Sequence, residues 1–195
     1  MKVLARRDLS GVVKILENDG IVAVPTETIY GLAVRLDRPV AIQKLLHLKD
    51  REPGSGKVLS LMLPNVGQMG NYVELTQKSY NLALRYFPGV LTMILPKRND
   101  FKHSYFDNFT SVGIRIPNHE YMLELLDNAG ALLVTSANLR GRTPCADSEA
   151  VRHTLPTVDA VVRGRAGGNL PSTVLDMTVD DPLVLRQGGL LIVHY

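Results

Sequence analysis

Three cations stand close together in Lys49-Asp50-Arg51 and Gly54-Ser55-Gly56-Lys57. A polyphosphate needs several positive donors from different directions, and arginine adds a planar fork. The same residues would also suit a solvated helix end, where cations complement the helix dipole. Pro25-Thr26-Glu27-Thr28-Ile29-Tyr30-Gly31-Leu32 packs two hydroxyls, an acid and a phenol between two apolar runs. It is either a solvated turn or a dense set of ligand contacts. Thr135-Ser136-Ala137-Asn138 follows an apolar run. Its Ser and Asn could cap a turn or present a hydroxyl and an amide to a ligand. Arg115 sits among apolar neighbours in Gly113-Ile114-Arg115-Ile116-Pro117. By strand alternation it lies opposite Ile114 and Ile116. It is then a surface residue, or a buried one that must have an anionic partner such as a substrate carboxylate.

Other chemistries lack their residues. Gly54-Ser55-Gly56-Lys57 resembles the end of a P-loop, but Arg51 stands where that pattern needs glycine and Val58 where it needs Ser or Thr. His47, His103, His119, His153 and His194 show no ligand spacing, so no metal site built from protein side chains is expected. The single cysteine, Cys145, excludes an internal disulfide and a multi-cysteine zinc site, and suits a reducing compartment.

The chain of 195 residues carries 22 Lys and Arg against 19 Asp and Glu, a formal net charge of +3. That excess is too small to mark a nucleic-acid binder by itself. Its placement is uneven. Residues 35–57 hold Arg35, Arg38, Lys44, Lys49, Arg51 and Lys57 against Asp37, Asp50 and Glu52, so this segment alone sums to +3. Apolar residues make up 45% and charged residues 21%, as in folded globular chains rather than disordered ones. No apolar run approaches ~18 residues, and the amino terminus lacks a signal-peptide pattern. A cytoplasmic chain without a membrane partner is expected.

The elements that must position these residues alternate between helical and extended periods, the mark of an α/β fold. Helices are predicted from Asp8 or Ser10 to Asn18, from Pro39 to Leu48, and over 76–87, 119–128 and 146–154. Strands are predicted over 21–24, 30–36, 58–63, 91–95, 112–116 and 131–134, and near Ala160, Val174 and Leu185. The expectation is one domain over residues 1–195, with a twisted mixed sheet and flanking helices. The polar clusters fall where strands end: 25–28, 135–138, 171–173 and 186–188. Crevices that bind ligands form at such ends.

In this order the motifs resemble those of the YrdC family, the threonylcarbamoyl-AMP synthases. Residues 25–32 resemble its P-T-[DE]-T-x-Y-G-L signature, Lys49 and Arg51 its K-x-R pair, and Ser136 and Asn138 its S-x-N pair. Pro88-Gly89-Val90-Leu91-Thr92, residues 113–117, Ser172-Thr173-Val174 and Arg186-Gln187-Gly188 are similar too. The likeness spans about residues 8 to 188. It departs from the family in the longer stretch before Lys57, in Val90 for a usual proline, and in Arg140 where the family has serine.

The resemblance implies the family's short form, its catalytic domain alone, with a large basic cavity. It implies a nucleotidyltransferase that makes threonylcarbamoyl-AMP and pyrophosphate from L-threonine, bicarbonate and ATP, with Mg²⁺ carried on the ATP phosphates. Partner proteins would then transfer the threonylcarbamoyl group to a tRNA adenosine beside the anticodon. Lys49 and Arg51 would be catalytic. Lys49, Arg51 and Lys57 would hold the triphosphate, and Ser136 and Asn138 the nucleotide, supported by Ser111 and Arg186. Thr26, Thr28, Arg115 and Ser172 would bind threonine. Tyr30 would be cavity wall or core. The alternatives are a double-stranded RNA or tRNA-binding module, a hydrogenase-maturation carbamoyltransferase, and a low-activity paralogue of the same fold. The absence of Trp, with four Phe, argues against single-strand recognition.

Overall fold

A computed structural model of the chain describes residues 1–50 and 59–192. In chain order the elements are β1 (Lys2–Leu4), α1 (Leu9–Glu17), β2 (Val22–Val24), β3 (Gly31–Arg35), α2 (Pro39–Leu48), β4 (Ser60–Met62), α3 (Gln77–Tyr86) and β5 (Leu91–Pro96). They continue as β6 (Ser111–Arg115), α4 (Glu120–Ala129), β7 (Leu132–Ser136), α5 (Ser148–Thr154), β8 (Ala160–Val162), β9 (Thr173–Asp176) and β10 (Leu183–Arg186). Short 3-10 helices lie at Val66–Asn71 and Ser104–Phe106.

The helices start where local chemistry lets them. Asp8 caps α1 by accepting from the Gly11 backbone N–H, Asp147 does the same for α5 from Ala150, and Thr76 and Ser79 form a capping box on α3. Pro39 opens α2 at a position where its missing N–H costs nothing. The helix buries Ala41, Ile42, Leu45 and Leu46 as one stripe. It ends with Lys49 as C-cap and Asp50 in the left-handed region at φ 48°.

Among the described residues the strands join in one mixed sheet of order β1-β8-β2-β3-β7-β4-β6-β5-β9-β10. Its pairs β1/β8, β2/β8, β4/β6 and β5/β9 are parallel, and the rest antiparallel. The predicted strand over 30–36 is β3, and that over 131–134 is β7, which runs on through Thr135 and Ser136. β1 was not expected. Three residues, the first two exposed, carry no periodic signal, and parallel pairing with β8 creates the strand.

Alternation along the central strands sends side chains to two cores. Val22, Val24, Ala33, Leu132, Val134, Ala160 and Val162 pack under α1 and α4. Ala23, Leu32, Val34, Leu133 and Val161 pack on the other face, with residues of α2, α3 and α5. These strands are covered twice and therefore apolar at nearly every position.

Candidate active site

The second half of the sheet breaks that pattern. On β4, β5, β6 and β9, Leu61, Met93, Val112, Ile114 and Leu175 enter the core beneath. Their alternates, Ser60, Met62, Thr92, Ile94, Gly113, Arg115 and Val174, instead line a cavity of about 1020 Å³. Small and polar side chains on one face leave room above the sheet. The walls come from the 26–31 turn, the end of α2, the loop after β7, and the segments around Ser172 and Arg186.

Lys49 stands at the end of α2, and only 3% of it is exposed. Its Nζ donates to the Ser136 carbonyl at 2.9 Å, to the Asn138 side-chain Oδ1 at 2.8 Å, and to the Asn138 carbonyl. Ser136 Oγ donates to the same Oδ1 at 2.6 Å, and Asn138 Nδ2 donates to the Arg142 carbonyl. The ammonium thus sets the shape of the Ser-x-Asn loop.

Arg115 is buried, and its partner is internal. Its Nη2 donates to Glu27 Oε1 at 2.8 Å and to Thr28 Oγ1 at 2.9 Å. Glu27 Oε1 also accepts from the Asn118 backbone N–H at 3.0 Å. Glu27 Oε2 and Arg115 Nε are buried without a partner. The Thr26 hydroxyl donates to the Ile29 carbonyl at 2.7 Å and lies 2.8 Å from Thr28 Oγ1. With that hydrogen committed, Thr28 is the donor of the pair. Thr26 Oγ1 also accepts the Thr28 backbone N–H at 3.1 Å, so its capacity is full. Thr28 keeps one acceptor position toward the cavity it lines.

Arg186 donates from Nε and Nη2 to the Ser172 carbonyl, at 3.1 and 2.9 Å, and from Nη2 to Ser172 Oγ at 3.2 Å. Ser172 Oγ lies 2.8 Å from Thr92 Oγ1. Burial first, and then the nearby Arg115 guanidinium, lower the Arg186 pKa from its ordinary value. No carboxylate among the described residues offsets Arg186, so an anion entering the cavity would relieve it. Gly188 makes this corner possible. A Cβ there would sit 2.2 Å from the Pro171 carbonyl oxygen and 2.4 Å from the Ser172 carbonyl carbon.

Thr26, Thr28, Lys49, Arg115, Ser136, Asn138, Ser172 and Arg186 therefore line one cavity. Ser111 opens β6, at the strand's other end from Arg115, and is not part of the lining. Arg51 and Lys57 lie outside the described residues. Tyr30 is fully buried and also borders the cavity; its hydroxyl donates to the Val162 carbonyl at 2.8 Å, and burial pushes its pKa above the ordinary value. Sequence reasoning did not give a role to Glu27, Thr92 or Arg140. The acid in Pro-Thr-Glu-Thr was a visible signal for the first, since a buried arginine needs an acid.

Among the described residues no group of three His, Cys, Asp or Glu gathers, and no helix is long and apolar enough to cross a membrane.

A model of the Sua5/YciO/YrdC family, described as telomere recombination, matches residues 14–188. Threonylcarbamoyl-AMP synthase of Vibrio campbellii is 33% identical over 188 residues, covering 93% of this chain and 100% of that one. Among solved structures, P. abyssi Sua5 complexed with L-threonine has a TM-score of 0.89 at 24% identity and covers 97% of this chain. This chain spans 58% of that one. E. coli YciO has a TM-score of 0.86 at 24% identity, covering 96% of this chain and 95% of that one. These two likenesses are of fold. With most of its length matched by the family model, and a full-length relative a third identical, the chain belongs to the Sua5/YciO/YrdC family.

Proposed function

We infer that this chain makes threonylcarbamoyl-AMP and pyrophosphate from L-threonine, bicarbonate and ATP. One observation carries the reading: a single cavity gathers Lys49, Arg115, Arg186 and the Ser-x-Asn loop, in a chain 33% identical to a named threonylcarbamoyl-AMP synthase across all of that protein's length. P. abyssi Sua5, which shares the fold, was solved with L-threonine.

The threonine amine forms a C–N bond to the carbon of bicarbonate-derived CO₂ and loses a proton, giving a carbamate. A carbamate oxygen then attacks the α-phosphorus of ATP, and pyrophosphate leaves. Both partners are anionic, so positioning and cation screening supply most of the rate. Arg115 and Arg186 both line the cavity, and a substrate carboxylate there would offset the Arg186 charge, which no described carboxylate pairs. Thr28 offers its remaining lone pair to the threonine amine, and Ser172 offers its hydroxyl. Ser136 and Asn138, held by Lys49, receive the nucleotide; Ser111, outside the lining, takes no part. Arg51 and Lys57 complete the triphosphate contacts. Mg²⁺ carried on ATP would supply further screening of the phosphate charge, beside the cations assigned to the triphosphate. The product is consumed by threonylcarbamoyl-transfer proteins acting on tRNA.

Pyrophosphate release should require ATP, threonine and bicarbonate together. Release indifferent to threonine would overturn the assignment. Arg51→Ala should abolish release while leaving the unfolding midpoint in place, and a fully active variant would remove Arg51 from the site.

A further inference from the structure

We propose that Arg140 is a phosphate-binding residue of the nucleotide site, parked on Asp50 until a triphosphate takes it over. The inference rests on the reading that this cavity receives ATP.

Arg140 and Asp50 both line the cavity, on the wall shared with Lys49, Ser136 and Asn138. Arg140 Nη1 donates to the Asp50 carbonyl and to its Oδ2, each at 3.2 Å. Among the described residues its Nε and Nη2 make no hydrogen bond. Asp50, whose backbone is left-handed, presents its carbonyl oxygen and one carboxylate oxygen to the same guanidinium nitrogen.

As a clasp this pair would add little. Its side chains are 74% and 85% exposed, and pairs so exposed contribute about 0–1 kcal/mol. The end of α2 is already tied to the loop after β7 by the buried Lys49. As part of an anion site it makes sense. Asp50, just past the C-terminal end of α2, puts a negative charge on this wall beside the partial negative charge of the helix end. Arg140 cancels that charge while the cavity is without nucleotide. A triphosphate brings several charged oxygens suited to a guanidinium fork, against one solvated carboxylate. It should win the exchange.

The two readings predict different signs. ATP and AMP are titrated calorimetrically into the full chain and its variants. Arg140→Ala should weaken ATP binding about tenfold, the size of one charge-assisted contact, and AMP binding much less. Arg140→Lys should recover part of the loss. Asp50→Asn should tighten ATP binding, because it removes the competing carboxylate. A clasp would make Arg140→Ala and Asp50→Asn weaken binding alike, and that result would overturn the exchange. So would unchanged ATP affinity in Arg140→Ala beside a wild-type chain that binds ATP. A wild-type chain that does not bind ATP would overturn the nucleotide reading itself and this inference with it.

Discussion

Arg115 is a guanidinium that folding takes out of water, and Glu27 is what makes that tolerable. The ion pair is 6% and 15% exposed on its two side chains. Removing one partner of a buried pair leaves the other charge uncompensated, which costs about 3–5 kcal/mol. Glu27→Ala should therefore lower the unfolding free energy by that much, read as a lower urea midpoint, and raise the threonine KM, because Arg115 loses the group that orients its fork. Glu27→Asp keeps the charge and should recover much of the stability. An alanine variant with the wild-type midpoint would show that Arg115 does not depend on this acid. The same satisfiability reasoning ranks the hydroxyls: Thr26 is saturated and supports the turn, while Thr28 still has capacity for a substrate donor.

Helix α4 carries a testable device at its start. His119 caps it, Nδ1 accepting from the Met122 backbone N–H at 3.4 Å. That role needs a neutral ring. Burial first, and then Arg6, hold the His119 pKa below its ordinary value, against the opposing pull of Glu27 and Glu120. A histidine with a lowered pKa binds fewer protons folded than unfolded, so its contribution is complete above about pH 6.5 and declines as pH falls below that. His119→Asn keeps a good cap that does not titrate. Between about pH 7 and pH 5, denaturation should show a shallower loss of stability in the variant than in the wild type. Parallel curves would mean that His119 does not titrate with folding.

For the whole molecule, the cavity draws its walls from both halves of one sheet, from β3 and β7 to β5 and β9. A ligand spanning it binds only the folded chain and must stabilise all of it. ATP at a hundredfold excess over its Kd should add about 2.7 kcal/mol and raise the Tm by roughly 5–10 °C. A scan with no shift at saturating ATP would contradict the cavity as the nucleotide site. The net charge also reads differently once folded. Arg35 and Arg38 pair with Asp37, and Lys44 donates to the Asp19 carbonyl, so half the cations of the basic segment serve the surface. Arg115, Arg140 and Arg186 reach the cavity from elsewhere in the chain.

Local signals were enough for most elements. Periodicity, Pro39, Asp8 and the Gly after α4 mark helices and their ends, because helix hydrogen bonds and caps join residues within four positions. The motifs were legible one by one at the strand ends for the same reason. Their union was not. Arg115 lies 88 residues from Glu27, and Lys49 lies 89 from Asn138; no local pattern encodes such pairings. Whether Arg115 faced solvent or an acid, and which acid, was decided only when β6 and the 26–31 turn met at the cavity floor. β1 likewise exists only because β8 offers it hydrogen bonds. Sequence determined which side chains could do chemistry and at which strand ends they would stand. Tertiary structure decided which of them share a charge, because burial sets the cost of leaving one unpaired.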